Sequence, residues 1–302
     1  MKPPPFEYHR PDTVEEALSL LAEHGSDAKL LAGGQSLVPA MNFRLARPAV
    51  LVDLNRITGL RHLEEEATGG LRIGAMTTQR AVESSPLVAE HSPLLHETMP
   101  WIAHPQIRNR GTIGGSLAHA DPAAELPAVV AVLGATMVIA TRDGSRRVSA
   151  GDFFTGLFAT AVAHGELLVD LEIPPITNGE ASNTRSGTAF MEVARRHGDF
   201  ALVGVAVHVQ LDSAGRCTTA SIALLSVGDG PVLATNAMSA LVDQTPDAPH
   251  LAEVARIAAE KDIDPPTDIH ASAAYRRQLA RVLVRRALVT AFHRASVTGI
   301  SQ

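Results

Sequence analysis

Two glycine-rich segments offer the chemistry in this sequence: Leu31-Ala32-Gly33-Gly34-Gln35-Ser36-Leu37 and Arg110-Gly111-Thr112-Ile113-Gly114-Gly115-Ser116. Paired glycines lack Cβ atoms, reach positive φ, and let backbone N–H groups come close to an anion. Ser36, Thr112 and Ser116 add hydroxyl donors. If Ser36 opens a helix, the unpaired amides and the dipole there favour a phosphate. Two such turns suit a diphosphate, one turn to each side. A plain structural turn is the other reading of each segment, and from these residues in isolation it is the commoner one.

Other chemistries fit less well. No G-x-G-x-x-G follows a strand, and no G-x-x-x-x-G-K-[ST] occurs. Gly114-Gly115-Ser116-Leu117-Ala118 imitates a nucleophile elbow, with His119 and Asp121 nearby. Triad partners normally lie far apart in sequence, so neighbours in one loop do not make a hydrolase. Among the 13 histidines no H-E-x-x-H pair occurs. His104, His119 and His197 read as surface or loop residues, and His104 and His119 flank the second glycine segment, where a bound cofactor would touch them.

The elements that position these segments follow from pattern. Thr13-Val14-Glu15-Glu16 has capping-box spacing ahead of an apolar stripe that stops at Gly25. Strands are expected over 28–32, 50–54, 71–75, 136–141 and 167–173, and helices over 36–46, 79–88 and 123–133. A helix over 91–101 carries prolines at 93 and 100, and 103–122 reads as loop. Asp143-Gly144 marks a hairpin. The polar, turn-rich stretch 176–186 reads as a linker. Beyond it come three strands, 188–195, 201–211 and 218–227, then helices over 234–241, 251–260 and 273 to about 295. Strands followed by helices make this half α+β. The last helix carries Arg276, Arg277, Arg281, Arg285, Arg286 and Arg294, most simply a solvated face, or else a docking surface for an acidic partner.

At 302 residues the chain has room for two domains. With 45% hydrophobic and 19% charged residues it reads as a folded, soluble protein. A net charge of −6 argues against nucleic-acid binding. No apolar run approaches membrane-span length and no signal peptide is seen, so the cytoplasm is the expected compartment. The single cysteine, Cys217, excludes an internal disulfide and a Cys-only iron–sulfur cage within the chain.

The sequence resembles the FAD-binding medium subunit of the molybdenum hydroxylases, the xanthine dehydrogenase and carbon monoxide dehydrogenase family. The resemblance rests on Ala32-Gly33-Gly34-Gln35-Ser36-Leu37-Val38-Pro39 and on the run from Ile107 to Ser116 continuing into Ala120-Asp121-Pro122-Ala123-Ala124-Glu125-Leu126-Pro127. Leu167 to Pro174 and Ala194 to Ala201 extend it, so that order and spacing match across nearly the whole chain.

That resemblance implies an α+β fold: a two-part FAD-binding domain of the PCMH or vanillyl-alcohol-oxidase type, then a smaller α+β domain with an antiparallel sheet and helices. On this chain the FAD-binding domain covers 1–176, with a small α/β part over about 1–56 and a larger part over about 57–176. A C-terminal flavoprotein domain, a three-stranded antiparallel sheet plus helices, covers 177–302. The resemblance puts the FAD diphosphate on the backbone of Ala32, Gly33, Gly34, Gln35, Ser36 and Leu37 and of Thr112, Ile113, Gly114, Gly115 and Ser116, with Leu31 also among the cofactor-binding residues. It puts Ile102 near the adenine or isoalloxazine pocket, Glu125 at the ribityl or ribose, and the Leu168 backbone at the flavin edge. It assigns no catalytic acid–base residue and no metal to this chain.

The implied function is electron transfer by FAD within a molybdenum hydroxylase. A large molybdopterin-binding subunit oxidises the substrate, and a small [2Fe-2S] subunit relays electrons, the whole forming a dimer of heterotrimers. Two alternatives stand beside it: a standalone FAD-dependent oxidase of the vanillyl-alcohol-oxidase type, and a non-catalytic assembly subunit that has lost FAD. The sequence departs from many relatives in having Ser116 for asparagine and Glu125 for aspartate. It also reads Phe190-Met191-Glu192-Val193 where a lysine commonly follows the aromatic residue.

Overall fold

A computed structural model describes residues 2–176 and 184–297. The chain opens with strand β1 (Glu7–His9), helix α1 (Val14–His24) and strand β2 (Ala28–Leu31). Thr13 caps α1 by accepting from the Glu16 amide, while Glu16 reaches back one residue further than a capping box requires, to the Asp12 amide. Helix α2 (Leu37–Asn42) and strand β3 (Val50–Asp53) complete a parallel three-stranded sheet of order β1-β3-β2. Ala17, Leu18 and Leu21 of α1 pack on Val50 and Val52. The helix expected over 36–46 is only six residues long, because the chain turns back at Arg44, whose φ is +60°.

Strands β4 (Leu63–Glu65) and β5 (Leu71–Gly74) lead into a helical stretch. The helix expected over 79–88 is two, α3 (Gln79–Glu83) and α4 (Pro86–His91), broken because the residue before Pro86 is held extended. Helix α5 (Pro93–Thr98) and a 3₁₀ turn at Met99–Trp101 follow. The expected loop at 103–122 contains two helices, α6 (Pro105–Arg108) and α7 (Ile113–His119). Next come α8 (Glu125–Val132), strands β6 (Thr136–Thr141) and β7 (Gly144–Ser149), α9 (Ala150–Phe153), the small pair β8 (Phe154–Gly156) and β9 (Ala159–Thr160), and β10 (Leu167–Ile173). The second sheet is antiparallel with order β4-β5-β10-β6-β7, and α7 and α8 share its core.

Of the expected linker, 177–183 lies outside the described residues, and Arg185 and Ser186 already belong to a strand. The last part holds β11 (Arg185–Ala194), β12 (Ala201–Leu211), β13 (Cys217–Leu225) and β14 (Val232–Leu233), an antiparallel sheet in sequence order. It therefore has four strands where three were expected; the two-residue β14 is too short to leave a pattern. Helices α10 (Thr235–Leu241), α11 (Ala248–Ile257) and α12 (Ala273–Val297) cover one face. Phe190, Ala206, Ala223 and Leu225 on the other face join the core of the second sheet. Strand alternation thus binds the two halves of the chain through one apolar layer.

The arginines of α12 are not all solvated. Arg276 is buried and donates to the Leu202 and Ser226 carbonyls and to Asp268. Arg277 bonds the Ala259 and Ile263 carbonyls, and Arg294 pairs with Glu97. Arg281, Arg285 and Arg286 are exposed, as is Arg294 beside Glu97, so the expectation of an arginine face holds for four of the six.

Candidate functional site

The first glycine segment lies between β2 and α2. Gly33 is buried and Gly34 sits at φ +74°, a conformation in which a Cβ is strained. The bend's carbonyls are occupied. Ala32 O accepts from Asn55 Nδ2 at 3.0 Å, Gly33 O from Gln35 Nε2 at 3.3 Å, and Gly34 O from the Val38 amide at 3.1 Å. The amides of Gly33, Gly34, Gln35, Ser36 and Leu37, by contrast, have no acceptor among the described residues. Native backbone amides removed from water are almost always paired, so consecutive free amides on a glycine bend whose first member is buried constitute an anion-binding surface. This is the chemistry a diphosphate requires, and helix α2 is too short to add much of a dipole.

The second segment is built differently. Thr112 caps α7, its Oγ1 accepting from the Gly115 amide at 3.0 Å. The Ile113 amide donates to Thr77 O, Gly114 to Ala75 O and Ser116 to Thr112 O. The capped helix start and the neighbouring chain thus engage the amides of Ile113 to Ser116. The side chain of Ile113 is fully buried in the core. The Thr112 amide and the Ser116 hydroxyl remain without a partner among the described residues.

The glycines here serve packing. A Cβ on Gly114 would lie 2.4 Å from Ala75 Cβ, and one on Gly33 only 2.2 Å from Arg110 O. A Cβ on Gly115 would stand 3.3 Å from Ala32 Cβ. The two segments therefore touch. They form one continuous surface, with free amides on the first segment and hydroxyls on both.

The remaining candidates surround this surface. Ile102 is buried after the 3₁₀ turn, its carbonyl accepting from Arg108, which Glu83 holds at 2.9 and 3.0 Å. Leu168 lies on central strand β10 beside a bulge, its side chain in the same core as Ile102, Ile113 and Phe190. Glu125 opens α8 at 8% exposure, and burial pushes its carboxyl up to about 7, with Asp121 adding to the rise and its own amide opposing it. Trp101 is flanked by the rings of Phe190 and His197 at centroid distances of 6.2 and 6.0 Å. Beside it a cavity of about 290 Å³ is lined by His104, Arg196, His197, Gly198 and Asp199.

One residue was not anticipated as part of this region. Glu192 is 8% exposed, its Oε2 has no partner among the described residues, and burial followed by the charge of Glu125 pushes its carboxyl up to about 8. The signal was available: alternation along β11 places 192 on the same inward face as Phe190.

A bend of free amides beside a capped helix, on an α+β scaffold of three larger sheets and a two-stranded pair, defines a protein that binds a phosphate-bearing cofactor. The family model described as the FAD binding domain in molybdopterin dehydrogenase matches residues 4–176, and that of the CO dehydrogenase flavoprotein C-terminal domain matches 188–291. The chain is 44% identical to the 6-hydroxypseudooxynicotine dehydrogenase complex subunit alpha of Paenarthrobacter nicotinovorans, covering 99% of this chain and 98% of that one. It is 41% identical to the carbon monoxide dehydrogenase medium chain of Afipia carboxidovorans, over 98% and 99% of the two. Carbon monoxide dehydrogenase of Hydrogenophaga pseudoflava superposes with a TM-score of 0.92 at 39% identity, over 98% of this chain and all of that one.

The chain belongs to the family of FAD-binding medium subunits of the molybdenum hydroxylases. It is an FAD-carrying electron-transfer subunit of an oxidoreductase, and in these complexes the molybdopterin and iron–sulfur centres belong to other subunits. The match of the second half to a flavoprotein C-terminal domain sets aside the standalone oxidase reading. No helix among the described residues is long and apolar enough to cross a membrane.

Proposed function

We propose that the chain holds FAD with its diphosphate along the free amides of Gly33 to Leu37, flanked by the hydroxyls of Ser36, Thr112 and Ser116. The run of unpaired amides in a chain of this family carries the reading. The FAD-binding domain covers 1–176 and the C-terminal flavoprotein domain 177–302. Ile102 lies near the adenine or isoalloxazine pocket, the Leu168 backbone meets the flavin edge, and Glu125 supplies a carboxyl at the ribityl or ribose. The bound FAD supplies the redox chemistry, between a small [2Fe-2S] subunit and an external acceptor, while a large molybdopterin subunit oxidises the organic substrate. The assembly is a dimer of heterotrimers in the cytoplasm. The chain itself provides position and electrostatics. No side chain near the bend is needed as an acid or base.

Purification of the chain tests the reading. Yellow protein releasing about one FAD per chain on denaturation supports it. Colourless protein that takes up no added FAD overturns it in favour of a non-catalytic assembly subunit. Turnover of a small alcohol or amine without partner subunits would instead point to a standalone oxidase.

A further inference from the structure

Opposite the free amides, the back of the bend is held by a chain of polar side chains. Asn55 lies 23 residues from Ala32 yet donates its Nδ2 to the Ala32 carbonyl at 3.0 Å. The same Nδ2 and the Asn55 amide are gripped by Asp53 Oδ1, at 2.6 and 2.9 Å. Asp53 Oδ2 accepts from the Tyr8 hydroxyl, and Arg10 approaches it at 4.0 Å. Asp53 closes β3, the middle strand of the parallel sheet, and Tyr8 lies in β1 alongside it. Burial opposes the Asp53 charge, but the hydrogen bonds from Tyr8 and Asn55 outweigh it and keep the carboxyl ionised below its ordinary range.

A trans peptide points its C=O and N–H in opposite directions. The Ala32–Gly33 peptide is trans, since no cis bond occurs among the described residues. Fixing the Ala32 carbonyl toward Asn55 therefore fixes the Gly33 N–H the other way, and Gly33 is the buried member of the free-amide run. The same hydrogen bond also draws down the partial negative charge of a carbonyl that an incoming diphosphate would otherwise meet.

We propose that Asn55, braced by Asp53 and Tyr8, is a positioning residue that sets the Ala32–Gly33 peptide with its amide toward the FAD diphosphate. The proposal rests on the placement of FAD given above. Asn55→Asp is the sharpest variant: it keeps the shape, cannot donate to Ala32 O, and sets a carboxylate against Asp53. Free to rotate, the peptide no longer presents a fixed donor.

The test uses the purified flavoprotein, stripped of FAD and titrated with FAD and with riboflavin, which lacks both phosphates. Wild-type binding of FAD establishes the site; its absence sinks the FAD placement itself and not merely the role of Asn55. Given wild-type binding, Asn55→Asp is expected to raise the Kd for FAD by about tenfold to a hundredfold, the loss of one buried hydrogen bond to a charged ligand. Riboflavin binding stays within about twofold. Tyr8→Phe, which leaves Asn55 in place, gives a smaller loss. An unchanged FAD Kd in Asn55→Asp overturns the proposal. So does an equal loss for FAD and riboflavin, which marks general collapse of the region.

Discussion

Gly33 rests on Arg110: a Cβ added to Gly33 would stand 2.2 Å from the Arg110 carbonyl oxygen, with Gly111 Cα at 2.9 Å. The two glycine segments, 77 positions apart (110 − 33), are thus one structural unit. Gly33→Ala must push backbone from backbone. It should cost on the order of 2 kcal/mol or more and release FAD. Gly34→Ala meets only the side chains of Val38 and Leu31, at 3.2 and 3.3 Å, and bears mainly its positive-φ strain, about 1 kcal/mol. Thermal unfolding with flavin absorbance should rank Gly33→Ala well below Gly34→Ala; the reverse order would refute the packing account.

Gly114 faces Ala75, so substituting it damages the fold before it touches a ligand. Gly114→Ala is expected to lower the unfolding midpoint of the FAD-free protein as well as the loaded one, by about 1–3 kcal/mol in stability. Adding Ala75→Gly removes the nearest atom, at 2.4 Å, and should recover part of the loss, since Ala75 Cα and O remain at 2.8 Å. A Gly114→Ala protein that unfolds like wild type but holds no FAD would show that this glycine faces the diphosphate after all.

Two buried carboxyls give the fold a pH dependence. Glu125 and Glu192 are held up to about 7 and about 8, against 4.5 in the unfolded chain. Between those values the folded state binds more protons than the unfolded one, so stability is fullest below pH 4.5 and falls as pH rises through 7 and 8. Glu192→Gln cannot ionise, so it should flatten the decline between pH 6 and 8.5 in urea titrations. A decline as steep as that of wild type would rule Glu192 out as its source.

Arg276 sits in the C-terminal core, where it bonds two carbonyls and Asp268. Removing one partner of such a buried set leaves the rest unsatisfied and costs about 3–5 kcal/mol. Arg276→Ala should lower the urea midpoint sharply, whereas exposed Arg285→Ala should leave it within about 0.5 kcal/mol. Equal small effects would restore the solvated-face reading for the whole helix.

Much of this was legible in sequence. β6, β10 and β12 stand out as apolar runs, α1 by its cap, and the α+β division by the order of strands and helices. The region 103–122 misled because its glycines and prolines read as loop, whereas Pro105 occupies a helix's first turn and Thr112 caps another. The function of each glycine was hidden for a different reason. That Gly114 meets Ala75, and that Asn55 meets Ala32, depends on tertiary approach between distant positions, and no local period records it. The motif types could be read, but not which face of each was already spoken for.

Amide hydrogen exchange with and without FAD tests the central claim most directly, since the two segments differ in which amides are free. FAD should slow exchange at Gly33 to Leu37 by about tenfold or more, with little change at Ile113 to Ser116, whose amides are bonded within the protein. Protection appearing at Ile113 to Ser116 while Gly33 to Leu37 stay as fast as in the FAD-free protein would contradict it.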